Sequence, residues 1–198
     1  MKIIHVTDTH FIPAGQTLYG RDPATALERC IADINRNHPD AERCVITGDL
    51  THWGEPEAFD HLKQHLDQLK VPLRLLVGNH DNRDIFRQRF GDHPCDENGF
   101  IQSVEDLPIG RFIYLDTNKP GHHEGWYCEQ RMQWLEEQFA AAKGKDLYLF
   151  MHHPPFDIGI PALDRISLVQ KGAFSEVVKP HRDQIRHLFF GHIHRPLS

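Results

Sequence analysis

No stretch of this sequence approaches the roughly 18 consecutive apolar residues that a membrane-spanning helix requires, and Met1 to Asp8 turns polar too soon for a signal peptide. A cytoplasmic protein without a membrane partner is therefore expected. Basic runs are missing too, and 22 Lys+Arg against 28 Asp+Glu leave a formal charge of −6. Broad nucleic-acid affinity comes from clustered Lys and Arg displacing counterions, so a nucleic-acid partner is disfavoured. The cysteines, Cys30, Cys44, Cys95 and Cys128, stand far apart with no C-x-x-C pair, which argues against a zinc knuckle or a disulfide scaffold. They read as mostly buried small hydrophobes. Methionine (3) and tyrosine (4) are scarce, whereas histidine, at 16, is in surplus. At 198 residues a single domain over 1–198 is expected, burying roughly 70% of the surface of its unfolded chain.

Short apolar runs alternate with amphipathic stretches. Strands are expected at Ile3–Val6, Arg43–Thr47, Leu73–Val77, Arg111–Leu115, Leu147–Met151 and His187–Phe190. Between them, Asp22 and Pro23 read as the cap and first residue of a helix whose face is Leu27, Cys30, Ile31 and Ile34. Pro56 opens a second, with Phe59, Leu62, Leu66 and Leu69 on one side. A third runs near Glu129 to Ala142, and Phe174, Val177 and Val178 suggest a shorter one, while 91–99 reads as irregular loop. Alternation of this kind predicts a layered α/β domain with largely parallel strands.

The short motifs at the strand ends carry the chemistry. Val6 leads into Thr7-Asp8-Thr9-His10, Thr47 into Gly48-Asp49, and Val77 into Gly78-Asn79-His80-Asp81. Met151 leads into His152-His153-Pro154-Pro155, and Phe190 into Gly191-His192-Ile193-His194. Ligands of open α/β sheets bind beyond the carboxyl ends of the strands, so these side chains converge on one rim, an arrangement from which a cation profits. Asp8, His10, Asp49, Asn79, His152, His192 and His194 are the candidate ligands. Carboxylate, imidazole and amide oxygen suit Mn, Fe, Zn or Co. One ion rarely needs so many groups, whereas two divalent ions about 3.5 to 4 Å apart use them if one carboxylate bridges. Asp49, alone at its strand end behind a glycine, is the expected bridge.

The series D-x-H, G-D, G-N-H-D, H-x-P and G-H-x-H, in this order from Asp8 to His194, resembles the calcineurin-like metallophosphoesterase superfamily. Leu18-Tyr19-Gly20, Leu115-Asp116-Thr117, Gly125-Trp126 and the Trp134-Leu135 helix are similar to class III cyclic-nucleotide phosphodiesterases and bacterial glycerophosphodiesterases. The resemblance implies a four-layer αββα sandwich of two mixed sheets. It implies one metal on Asp8, His10, Asp49 and His194 and a second on Asp49, Asn79, His152 and His192. It also implies hydrolysis of a small phosphodiester, such as a 3′,5′-cyclic nucleotide or a glycerophosphodiester. Two cations would supply hydroxide at neutral pH, while His80 contacts the phosphate and protonates the leaving oxygen. Phosphomonoesterase, nuclease and noncatalytic scaffold relatives are the alternatives. The negative charge argues against a nuclease, and the full set of metal histidines against a scaffold.

Other residues keep two readings. His153 is a supporting or packing residue rather than a ligand; Asp81 either orients His80 or caps the next helix; His52 contacts phosphate or sits in a solvated loop. His122 and His123 read as a solvated, flexible loop, His61 and His65 as a solvated helix face, and Arg83, Arg87 and Arg89 as an exposed one. The sequence ends four residues after His194, where relatives of this type continue, so an incomplete second sheet is expected, from either a shortened chain or a natural short form. An oligomer is not specified by any of these features.

Overall fold

A computed structural model describes residues 2–196. Its first sheet contains β1 (Ile3–Val6), β2 (Arg43–Thr47) and β3 (Leu73–Leu76), all parallel and in that order. The second contains β4 (Ser103–Leu107), β5 (Gly110–Tyr114), β6 (Leu147–Phe150) and β7 (Ile185–Phe189), where β5, β6 and β7 are parallel and β4 runs antiparallel to β5. Helices α1 (Pro23–Asn37), α2 (Pro56–Leu66) and α3 (Arg83–Arg89) accompany the first sheet, and α4 (Glu129–Ala142) and α6 (Lys171–Val178) the second, with a short α5 at Pro161–Asp164.

Side-chain parity builds the layers. Successive residues of a strand face opposite ways, so each sheet can be covered on both faces. Ile46 and Leu75 pack outward against Leu27 and Ile31 of α1 and Phe59 and Leu62 of α2. Their neighbours Val45 and Leu76 turn inward to meet Phe112, Tyr114 and Phe150 of the second sheet. Ile113, Leu147 and Leu149 face outward again, onto Leu135 and Phe139 of α4 and Phe174 of α6. The result is helices, sheet, sheet, helices. Aromatic stacking clamps the inner layer, with Phe150 centred 4.8 Å from Phe189 and 5.3 Å from Tyr114. Such pairs contribute about 0.5–1.5 kcal/mol beyond burial. Glu105 of β4 reaches across to the first sheet, paired with Arg43 and Arg74.

The expected caps form. Asp22 accepts from the Ala24 amide at 3.0 Å, and Pro23 and Pro56 open their helices. β4 lies where no strand is expected from sequence, because Ser-Val-Glu-Asp-Leu carries two acids and pairs only through the turn into β5.

Several side chains depart from their sequence readings. Only Cys44 is buried; Cys30 and Cys128 are half-buried, Cys95 is exposed, and all are free thiols. His61 and His65 are not on a solvated face. Both pack on Phe11, at 5.2 and 5.4 Å, and His61 Nδ1 donates to the Ile12 carbonyl at 2.9 Å, since α1 and the first loop cover this side of α2. Arg83 is not free either. Its guanidinium grips buried Asp116 through Nε at 2.7 Å and Nη2 at 3.0 Å, while Arg87 remains exposed and Arg89 pairs with Asp60.

Candidate metal centre

The loops leaving β1 and β2 are zipped together beyond the sheet. The amides of Asp8, His10 and Phe11 donate to the carbonyls of Gly48, Asp49 and Leu50 at 3.1, 2.9 and 2.9 Å. This continues the ladder into segments that must also point side chains at a common centre, and the backbone satisfies both demands by turning left-handed. Asp8 (φ 56°), His10 (45°), Asp49 (47°), His192 (71°) and His194 (51°) all have positive φ. Among the described residues the other non-glycines with positive φ are Tyr19, at 49°, and Lys143, at 19°, which closes α4. Left-handed conformation costs a non-glycine residue roughly 1–2 kcal/mol, and its concentration on five of the seven predicted donors marks a functional constraint.

The glycines preceding the donors have separate reasons to be glycine. Gly48 turns at φ +102°. Gly78 has ordinary φ, but a Cβ there would collide with Asp49 and lie 2.8 Å from His152 Nε2. A Cβ at Gly191 would strike Thr7 and Asp8. The donors crowd too closely for any side chain between them.

The seven predicted donors come together. In one group, His10 Nε2 lies 3.1 Å from His194 Nε2 and 3.7 Å from Asp49 Oδ2, and His194 Nε2 is 3.3 Å from Asp8 Oδ1. In the other, His152 Nε2 lies 3.3 Å from Asp49 Oδ1 and 3.2 Å from Asn79 Oδ1, which is 3.0 Å from His192 Nδ1. Asp49 therefore offers one oxygen to each group. Ligands about 2.1 Å from a cation and 90–110° apart are about 3.0–3.4 Å from one another, so nearly all these spacings are those of a coordination shell. The donor set fits two borderline divalent ions. Support comes from behind. His152 Nδ1–H donates to the Thr47 carbonyl at 2.9 Å, which fixes the orientation of the ring and leaves Nε2 facing Asp49.

Burial sets the protonation of these rings. It holds His10 and His192 down to about 4, so both offer lone pairs at neutral pH. At His152 burial also opposes charge, but the adjacent Asp49 carboxylate overrides it and pushes the imidazole up to about 9. Asp49 is held well below the usual carboxylate range, because His152 outweighs the desolvation acting on it. In the absence of a cation, a proton on His152 takes part of its place.

The residues around the donors are arranged differently from the sequence readings. Asp81 neither orients His80 nor caps α3, whose cap is Asn82. Buried Asp81 accepts from Gly78 N (2.9 Å), Leu50 N (3.0 Å), Thr51 N (2.8 Å) and Thr51 Oγ1 (2.9 Å), tying the loops after β2 and β3 together. Burial, then Asp49, pushes its carboxyl up to about 6. His80 is oriented instead by its own Nδ1–H donating to the His52 carbonyl at 2.7 Å and its amide donating to Asp49 Oδ1 at 3.0 Å. His52 is buried rather than solvated. Its Nδ1 lies 3.2 Å from His10 Nδ1 and its ring stacks on His80 at 4.9 Å.

His153, also buried, pairs with Thr117 Oγ1 at 2.8 Å and donates from Nε2 to the His123 carbonyl. His122 and His123 are exposed, as read from sequence. Unforeseen was Asn118, whose Nδ2 donates to the Gly78 and Asp81 carbonyls at 2.6 and 3.1 Å and so fixes the Asn79 turn from the second sheet. Its position just after β5 was the available signal.

Two facing sheets that present carboxylate, imidazole and amide donors from five strand ends define a metal-dependent hydrolytic class of site. The family model described as calcineurin-like phosphoesterase matches residues 1–196, and the chain belongs to that family. Among its relatives, a probable cyclic nucleotide phosphodiesterase of Rhodopseudomonas palustris is 43% identical over 201 residues, covering 100% of this chain and 73% of that protein. The glycerophosphodiester phosphodiesterase GpdQ of Enterobacter lignolyticus is 31% identical, covering 98% of this chain and 71% of that one. The 3′,5′-cyclic adenosine monophosphate phosphodiesterase CpdA of Escherichia coli is 27% identical, covering 100% and 71%. In fold, the chain is similar to the purple acid phosphatase PPD1 of yellow lupin, with a TM-score of 0.72 at 15% identity, over 97% of this chain and 37% of that one. No helix among the described residues is long and apolar enough to cross a membrane.

Proposed function

We propose that this chain is a dinuclear metal-dependent phosphodiesterase acting on small diesters. The observation that carries the reading is the division of seven donors into two groups that share Asp49, with His80 beside them. Asp8, His10, Asp49 and His194 would hold one ion, and Asp49, Asn79, His152 and His192 the other; Mn, Fe, Zn and Co all suit these donors. Bound there, two dications would lower the pKa of water toward neutrality and neutralise charge developing on the phosphoryl oxygens.

The protein's own groups do the rest. His80 donates from Nδ1 to a carbonyl, so its Nε2 is left for the substrate. With Nε2 protonated, it gives the Nε2 proton to the departing ester oxygen. The backbone bond from His80 to Asp49 holds the acid at a fixed distance from the bridging carboxylate. A cavity of about 420 Å³ opens over Asp49, Asn79 and His80, walled by Ile160, Leu163 and Ile166, with room for the esterifying groups of a small diester.

The test is turnover by Mn- or Co-loaded protein on aryl phosphate mono- and diesters, a glycerophosphodiester and a 3′,5′-cyclic nucleotide. Diesters are expected to be preferred, and absence of turnover on every diester overturns the reading. His80→Ala should lower kcat by roughly 10²–10⁴-fold while elemental analysis still finds two ions per chain. Loss of metal in that variant would remove His80 from the role of proton donor.

A further inference from the structure

Two large aromatic side chains beside the site are largely exposed. Tyr19 is 85% and Trp53 67% exposed. Tyr19 and Gly20 form the apex of a two-residue turn closed by reciprocal backbone bonds, Leu18 N to Arg21 O at 2.8 Å and Arg21 N to Leu18 O at 2.9 Å. Both apex residues have positive φ, 49° at Tyr19 and 74° at Gly20. Asn, Asp or Gly is the low-cost choice at the first of these positions, and tyrosine is not. The turn thus holds a strained residue whose ring adds nothing to the core. Trp53 lies between His52 and Gly54, in a loop pinned closely enough that a Cβ on Gly54 would sit 3.1 Å from Asn82 N.

These rings continue a series that begins at the donors. His10 lies 5.1 Å from His52 between centroids, and His52 stacks on His80 at 4.9 Å with 20° between planes. Outward from His52, Trp53 is 4.1 Å away at 74° and Tyr19 is 5.9 Å away at 85°. The exposed rings are thus joined through His52 to His80, the residue that would meet the phosphate. In a nucleotide ester, the base is carried one sugar away from the phosphate, where an aromatic surface is useful; a glycerol ester has no π face to place there.

We propose that Trp53, with Tyr19 beside it, forms a nucleobase-stacking platform, and that Trp53 selects nucleotide esters over glycerol esters. The proposal rests on the phosphodiesterase reading for the position of the phosphate, and its test separates the two. Stacking of one base on an aromatic side chain corresponds to roughly 5- to 150-fold in affinity. In calorimetric titration of Mn-loaded protein, 5′-AMP should bind at least tenfold more tightly than ribose 5-phosphate, which keeps the phosphate and lacks the base. Trp53→Ala should bring that ratio toward one with ribose 5-phosphate affinity unchanged. Tyr19→Asn, which suits the turn better and removes the ring, should lower the ratio without loss of melting temperature.

In kinetics, Trp53→Ala should lose several-fold or more in kcat/KM on 3′,5′-cyclic AMP and under twofold on glycerophosphoethanolamine. A wild-type ratio near one, a ratio unmoved by both variants, or failure of both phosphates to bind overturns the platform. A ratio that collapses in the variants of a protein that hydrolyses no diester supports the platform and sinks the phosphodiesterase reading alone.

Discussion

Asp49→Ala is expected to leave a folded protein that retains neither ion at stoichiometric level and turns over diesters more than 100-fold more slowly. Each donor group would lose one oxygen, and Asp49 is common to both. Losing a supporting partner of a metal ligand already costs roughly 10- to 100-fold in affinity or activity, so losing the shared donor sets that range as a lower bound. The same change removes the acceptor for the His80 amide, which loosens the acid as the cations are lost. Elemental analysis and steady-state rates on one sample check both halves. A variant that keeps two ions and near-native kcat would show that the groups do not share Asp49. The contrast with His80→Ala, where metal stays and rate falls, separates holding the ions from moving the proton.

The second large effect lies outside the donor set. Asp116→Ala should lower unfolding free energy by about 3–5 kcal/mol, the usual result of stranding a charge whose buried partner is removed. Asp116 is fully buried and accepts from Arg83 Nε and Nη2, from Ile101 N at 2.8 Å and from Asn118 N at 2.9 Å. Arg131, also buried, stands 3.7 Å from its Oδ1 and donates to its backbone carbonyl at 2.7 Å. Removing the carboxylate leaves Arg83 and Arg131 without compensation. For a chain of this size, a melting temperature lower by about 10 °C is expected. The control is Arg83→Met with Asp116→Leu, which removes the pair together and should recover part of the loss. A loss under about 1 kcal/mol in Asp116→Ala would mean that the network is solvated.

The distance over which a residue acts explains why some of the molecule was legible in its sequence and some was not. The convergence of the seven side chains was legible because each is announced locally, by an apolar run that ends in a short polar motif, and parallel strands bring such endings to one rim. Helices α1 and α2 were legible for the same reason, through a proline start and an apolar stripe. Asp81 was misread because its partners, Leu50 and Thr51, lie beyond a different strand. Arg83 resembled a surface residue until Asp116 arrived from the second sheet, and His61 and His65 until Phe11 covered them. β4 escaped because its Glu105 looks toward Arg43 and Arg74 of the facing sheet, a partnership that no alternation pattern records.

The left-handed turns that carry Asp8, His10, Asp49, His192 and His194 determine what can be moved from this protein into another. Copying the side chains onto the ends of another parallel sheet would reproduce the donors and not their aim, because an ordinary extended or helical backbone points the same Cβ elsewhere. The turn would have to travel with its neighbouring glycine and the zipped ladder behind it. For Asp8, His10 and Asp49 the portable unit is a pair of interlocked loops, and a graft chosen by matching residue types alone would begin with the wrong piece.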